Sequence, residues 1–166
     1  MKELPQRKKN RLQGYDYSQS GAYFITICTK NRKALFGAVE NSQMILNEIG
    51  KIVKQEIEKI PTIREECVIH EYIVMPNHVH MIVEIKNTGD NPNYIETQRD
   101  DCHRPVRRSI PNMVQGLKGA VTRRLGFSPW HRNYHDHIIR NDKEYTRIAE
   151  YIINNPVKWN EDRFYI

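Results

Sequence analysis

The chain has 166 residues, 39% apolar and 28% charged, a balance that fits one domain with a real core and excludes an intrinsically disordered chain. Its 26 Lys and Arg against 20 Asp and Glu give a net charge of +6, which favours a polyanionic partner. No window approaches the roughly 20 apolar residues of a membrane span, no apolar signal segment opens the chain, and Cys28, Cys67 and Cys102 lack CxxC spacing, which argues against a disulfide framework or structural zinc and suits a reducing cytoplasm.

Residues 1–20 are polar and basic, with the run Gln6-Arg-Lys-Lys-Asn-Arg11, and read as an arm. Ala22 to Thr29 is β-branched and aromatic and predicts a strand; Phe36 to Val39 predicts a very short second one. From Ser42 as N-cap, Ile45, Ile49, Ile52, Val53, Ile57 and Ile60 recur near helical period, with Glu56 the polar exception, and Pro61 ends that helix. Strands follow at Cys67 to Val74 and Val79 to Ile85, separated by Met75-Pro-Asn77. Lys86 to Arg108 is polar, holds Gly89, Pro92 and Pro105, and reads as a long flexible loop at about 87–108. Ile110 to Leu125 predicts a second helix with Met113, Val114, Leu117, Val121 and Leu125 on one side. Tyr134 to Arg140 is a fourth main strand, and Asn141 or Asp142 caps a last helix that Pro156 closes. The order β-α-β-β-α-β plus a terminal helix is the split βαβ arrangement: an α+β fold, its antiparallel sheet carrying helices on one face. Another α+β sandwich is the alternative. One domain over 21–160 and a tail at 161–166 complete the expectation.

Strand alternation locates the first chemistry. Val79, Met81, Val83 and Ile85 share a wholly apolar face that should meet the helices, so His78 and His80 point to the other, with Ile82 and Glu84. Two imidazoles at i and i+2 lie close enough to share a metal ion, although a bare His-x-His is more often a solvated or hydrogen-bonded pair. His135 and His137 form a second such pair, and spacing alone does not choose between them. On the last helix Tyr145, Ile148, Ala149, Ile152 and Ile153 form one apolar stripe. Tyr151 lies off it, one turn from Asn155 if the helix extends that far. A phenol beside an amide oxygen suits a nucleophile next to a metal ligand, but an amphipathic tyrosine at a helix edge has the same spacing. Candidate nucleic-acid contacts are Arg104, Arg107, Arg108, Lys118, Arg123, Arg124 and Arg132, with Trp130 as a stacking surface.

AYFITICTKNRKALFG, YIVMPNHVHMIVE, VQGLKGAVTRRL, NYHDHIIRNDKEY and EYIINNPVKW, in that order from about Tyr23 to Trp159, resemble the IS200-like tyrosine transposases. The nearest branch is the one associated with repetitive extragenic palindromes. The resemblance implies a ferredoxin-like fold and an HUH site, with His78-Val79-His80 as the metal-binding histidines. It implies a catalytic tyrosine at Tyr151 rather than Tyr145, because Tyr151 precedes Ile-Ile-Asn-Asn-Pro. A third ligand one turn later falls on Asn155, where the related insertion-sequence branch carries a residue more like Gln. It further implies Mg²⁺ or Mn²⁺, a 5′-phosphotyrosine intermediate, and single-stranded or hairpin DNA as substrate. Members of the family include monomers and homodimers. A nicking endonuclease of replication-initiator or relaxase type, or a silent DNA-binding module, are the alternatives.

Overall fold

The structure is a computed structural model that describes residues 14–86 and 109–165. Four strands form the main sheet: β1 (Gly21–Cys28), β4 (Cys67–Val74), β5 (His78–Ile85) and β6 (His135–Ile139). Their order is β4-β5-β1-β6, every neighbouring pair antiparallel. In terms of these four strands the order is 4-1-3-2, the ferredoxin-like pattern that the element order predicts. Two helices, α1 (Glu48–Glu58) and α3 (Ile110–Leu125), cover one face, while α4 (Asp142–Ile153) packs on the other against β4 and β5. No helix among the described residues is long and apolar enough to cross a membrane.

The alternation in β5 does what the sequence indicates. Val79, Met81 and Val83 are fully buried with Ile25 and Ile27 of β1 and with Val53, Ile57, Met113, Val114 and Val121 of the helices. The opposite parity faces α4: Ala22 pairs with Glu84, Phe24 with Ile82, Thr26 with His80 and Cys28 with His78. There Ile82, Ile148 and Ile152 make a second small core, with Phe24 packed against it. Burying the sheet on both faces is what puts two histidines in a dry interior.

The segment before α1 differs from the sequence reading. Instead of a helix from Ser42, β2 (Gly37–Glu40) and β3 (Gln43–Leu46) form a hairpin. Asn41 and Ser42 carry φ values of 49° and 61°, the positive pair that a type I′ hairpin turn demands. The true N-cap is Asn47, whose side chain accepts from Gly50 N at 2.9 Å and donates to Leu35 O at 3.0 Å. Ile45 matched the helical period only by coincidence of spacing and is half exposed. Pro61 does not end a helix but opens the short α2 (Ile60–Ile63), where a missing N–H costs nothing. Glu56, the exception in the apolar stripe, is buried and accepts from Lys59 Nζ at 2.8 Å and Arg124 Nη1 at 2.9 Å. Burial alone would raise its pKa; the two cations outweigh that and lower it.

Both ends of the predicted domain also move. Tyr17 is buried and Tyr15 packs on the same core as Tyr23, so the structured domain begins before residue 21. Residues 161–165 are not a tail: after the 3₁₀ turn at Trp159–Glu161, Asp162 and Phe164 fold back against α4 and β5. The predicted 87–108 loop and the run Gln6 to Arg11 lie outside the described residues.

Candidate active site

His78 opens β5, and its position is fixed from behind by the Met75-Pro-Asn turn. Asn77 is fully buried and donates through Nδ2 to Phe164 O at 2.7 Å and Arg32 O at 3.2 Å. Its Oδ1 must therefore accept the 2.8 Å bond from His78 Nδ1, so His78 carries its proton on Nδ1 and turns a bare Nε2 to the site. His80 is likewise held through Nδ1, by Thr26 Oγ1 at 2.8 Å, with Nε2 facing Tyr151 OH at 3.3 Å. A hydrogen-bonded second nitrogen fixing ring and tautomer is the usual support of a metal-binding imidazole.

Tyr151, on α4, donates its phenol proton to Asp162 Oδ2 at 2.9 Å. Asn155 donates Nδ2 to the same oxygen at 2.6 Å, and Asp162 Oδ1 accepts from Phe164 N at 2.8 Å. Helix α4 stops at Ile153, so Asn155 reaches the site from the turn that follows and not from a continued helix. It is nonetheless buried beside Tyr151, as the spacing anticipates. The rings of His78 and His80 are 4.4 Å apart, and Phe164 covers His78 at 4.5 Å.

The electrostatics have a gap. His78 Nε2 and Asn155 Oδ1 are both buried acceptors with no hydrogen-bond partner. Asp162, through its charge, and Asn155, as an acceptor for a second ring proton, favour the charged form of His78. Burial outweighs them and holds the ring down at about 4. His80 is pushed well below its ordinary value, by burial first and then by His78 and Arg163. At neutral pH both rings are neutral, and the two buried lone pairs have no proton to share between them. Orphaned buried acceptors cost about 1–3 kcal/mol each, and a cation placed among them removes that penalty. His78, His80 and Asp162 also offer ligand atoms within 4.8 Å of one another. Asp162 Oδ2 accepts two hydrogen bonds and Oδ1 one, whereas Asn155 Oδ1 accepts none, so both groups offer an oxygen beside the two imidazoles. Tyr151 is pushed up to about 12, by burial first and by its bond to Asp162 second, so the resting phenol is neutral.

The second pair, His135 and His137, is not part of this cluster: His137 Nε2 is taken by Glu144 at 2.7 Å and His135 is exposed. Tyr145 packs against His70 and the small core rather than against Tyr151's partners. Of the expected nucleic-acid contacts, several have structural duties. Trp130 is buried against Phe36 and offers no face for stacking on a base. Lys118 spends its ammonium on the carbonyls of His131, Arg132 and Asn133, and its burial lowers its pKa to about 8. Arg124 ties α3 to α1 through Glu56 and Gln55. Arg123 is exposed on α3, across the sheet from the histidines, and Arg132 is exposed in the loop before β6. Arg104, Arg107 and Arg108 lie outside the described residues. Sequence reasoning missed Asp162, which sits in the supposed tail, and Arg147 and Arg163, which flank Tyr151 in a cleft. Arg147 had a signal: it stands one helical turn before Tyr151.

Comparison with known proteins identifies the family and the fold. The family model described as "Transposase IS200 like" matches residues 17–155. The chain is 40% identical to an uncharacterized protein of Haemophilus influenzae over 96% of this chain and 93% of that one. It is also 25% identical to the REP-associated tyrosine transposase of Escherichia coli K12, over 86% of this chain and 70% of that one. A REP-associated tyrosine transposase solved bound to a REP hairpin shares the fold, with a TM-score of 0.61 at 21% identity, over 98% of this chain and 77% of its own. A sheet of this order, two buried histidines on one strand face and a tyrosine helix packed over them thus coincide with a family match across most of the chain, which belongs to the IS200-like transposases.

Proposed function

We propose that the protein cleaves and rejoins single-stranded DNA through a covalent 5′-phosphotyrosine on Tyr151, acting on hairpin or repetitive palindromic DNA. The observation that carries this reading is the contact of Tyr151 OH with both Asp162 and His80, at the mouth of a site holding two orphaned acceptors. Tyr151 Oη attacks the scissile phosphorus; an O–P bond forms, the P–O3′ bond breaks, and the 3′-oxygen leaves with its electron pair and takes a proton from solvent to become a 3′-hydroxyl. The phenol proton passes to Asp162 Oδ2, which already accepts it in a hydrogen bond. Attack of a 3′-hydroxyl on the phosphotyrosine reverses these steps and rejoins the strand.

His78, His80 and Asn155 would hold a divalent ion, Mg²⁺ or Mn²⁺, which when bound polarises a phosphate oxygen as a Lewis acid. Imidazole donors accept Zn²⁺ and Ni²⁺ as well, so the ligand set alone does not select the ion. Arg104, Arg107, Arg108, Arg123 and Arg132 supply phosphate contacts, and the protein works in the cytoplasm as a monomer or homodimer.

The test is incubation with hairpin oligonucleotides and Mn²⁺, followed by denaturing electrophoresis. Wild type yields a protein–DNA adduct, and Tyr151→Phe yields none while still binding DNA. An adduct that survives in Tyr151→Phe rejects the assignment. A nicking endonuclease would share the same site; joining of two labelled strands, beyond cleavage, separates it from a strand transferase.

A further inference from the structure

Beside Tyr151 lies a cleft of about 520 Å³, lined by Phe24, His137, Arg147, Ile148, Tyr151 and Arg163. Its volume is in the range of small-ligand sites, which combine an apolar surface with a few placed polar groups. The apolar part comes from β1 and α4. Phe24 stands in register between Ile82 and His137, packs with Ile148 in the small core, and meets the Tyr151 ring edge-to-face at 6.2 Å. It is half-buried, so part of the ring remains open to the cleft.

Neither arginine makes a salt bridge or hydrogen bond to a carboxylate among the described residues, although the Arg147 charge helps to lower the Glu144 pKa. Glu144, one turn before Arg147, has Oε1 bonded to His137 Nε2 at 2.7 Å and Oε2 to Arg140 N at 2.9 Å. Arg147 itself makes no ion pair or hydrogen bond among the described residues. Arg163 follows Asp162, whose oxygens are taken by Tyr151, Asn155 and Phe164; its guanidinium instead lies over the Phe164 ring at 4.7 Å. Its charge nevertheless reaches the site, where it lowers the pKa values of His78, His80 and Tyr151. Two guanidinium groups without a salt bridge among the described residues, set around an aromatic surface, have a chemical complement: one flat ring and an attached phosphate.

We propose that this cleft binds the nucleotide adjoining the scissile phosphate, with its base against Phe24 and its own phosphate between Arg147 and Arg163. The proposal rests on Tyr151 as the nucleophile, because the same side chain lines the cleft. A simple anion site would not need the apolar surface, and an apolar peptide site would not place two arginines there.

The test uses the full chain and deoxynucleoside 3′,5′-bisphosphates, which carry one base between two phosphates, with NMR as the readout. Phe24 ring and Arg147 Nε–H resonances should shift saturably. The abasic deoxyribose 3′,5′-bisphosphate and inorganic phosphate should bind about tenfold more weakly. Arg147→Gln, on an exposed side chain, should weaken the bisphosphate about tenfold, and Phe24→Leu should erase the difference between base-bearing and abasic ligands. Equal affinity for nucleotide, abasic analogue and phosphate overturns the proposal, as does an Arg147→Gln protein that binds like wild type. The adduct assay is independent of this outcome. Adduct formation without nucleotide binding at Phe24 sinks the cleft alone; nucleotide binding without any adduct sinks the strand-transfer reading, and with it the placement of this nucleotide beside a scissile phosphate.

Discussion

Replacing Asp162 with Asn tests the proton path most directly, because it preserves shape while removing charge and basicity. In the native site Oδ2 accepts from Tyr151 OH and Asn155 Nδ2, and Oδ1 from Phe164 N. An amide cannot accept at both ends. If its oxygen faces Tyr151 and Asn155, its NH₂ meets the Phe164 N–H and that bond is lost. If it turns over, the NH₂ confronts Asn155 Nδ2, and Asn155 must flip and withdraw Oδ1 from the histidines. Either outcome costs about 1.5–3 kcal/mol of stability, the worth of a hydrogen bond to a charged group. The chemical cost is larger: losing a positioned base slows the step by about 10² to 10⁴. One effect opposes it. Asp162 helps hold the Tyr151 phenol up at about 12, so its removal eases ionisation; burial, the largest cause, stays, and only part of the rise above 10.0 is recovered. The base term wins, and the net fall in the single-turnover rate of adduct formation is on the order of a hundredfold, or about 2.7 kcal/mol in barrier. DNA affinity, measured separately by anisotropy, should not weaken, since a negative charge has been removed. An Asp162→Asn rate within threefold of wild type would refute Asp162 as the proton acceptor.

Other consequences are accessible to simpler measurements. Mn²⁺ at 100 times its Kd should stabilise the fold by about 2.7 kcal/mol and raise the melting temperature by about 5–10 °C; His80→Gln should abolish that increment, and an undiminished shift places the ion elsewhere. Without metal, stability should fall as pH drops from about 6.5 towards 4. The folded pKa values of His78 and His80 lie below the unfolded value, so the unfolded chain binds more protons in that window. A flat urea-midpoint profile across the window would contradict the burial of two neutral imidazoles. Glu56→Ala should cost about 1–3 kcal/mol by stripping Arg124 and Lys59 of their shared partner, with no change in adduct formation per folded molecule. Trp130→Ala should destabilise by about 3–5 kcal/mol as a cavity in the main core; a stable variant with weakened DNA binding would restore the surface role expected of it.

What the sequence made legible follows from periodicity. The alternation in β5 assigns Val79, Met81 and Val83 to one face and the two histidines to the other, and the four main strands set the sheet. Helical phase separates Tyr151 from the buried stripe, although Ile153, counted in that stripe, is more than half exposed because the helix ends there. What stayed hidden has identifiable physical causes. The hairpin before α1 depends on two residues adopting positive φ, which Asn and Ser permit but do not announce. Asp162 lies in no periodic element, so no phase argument reaches it. Trp130 and Lys118 looked like surface groups because a single aromatic or a single charge carries no directional signal. Their neighbours in space, Phe36 and the carbonyls of residues 131–133, decide their roles.

The two-sided burial of β5 has an implication for how this protein can vary. Odd-numbered positions fill the main core, and even-numbered ones bring His78 and His80 to the site and Ile82 to the core beneath α4. A slip of one residue would exchange the two sets, carrying both imidazoles into a hydrocarbon interior and Val79 into the place of a ligand. There is thus no misregistered yet stable competitor that merely lacks activity. A library screened along this strand for solubility alone would retain nearly the same sequences as one screened for activity, except at the histidines themselves.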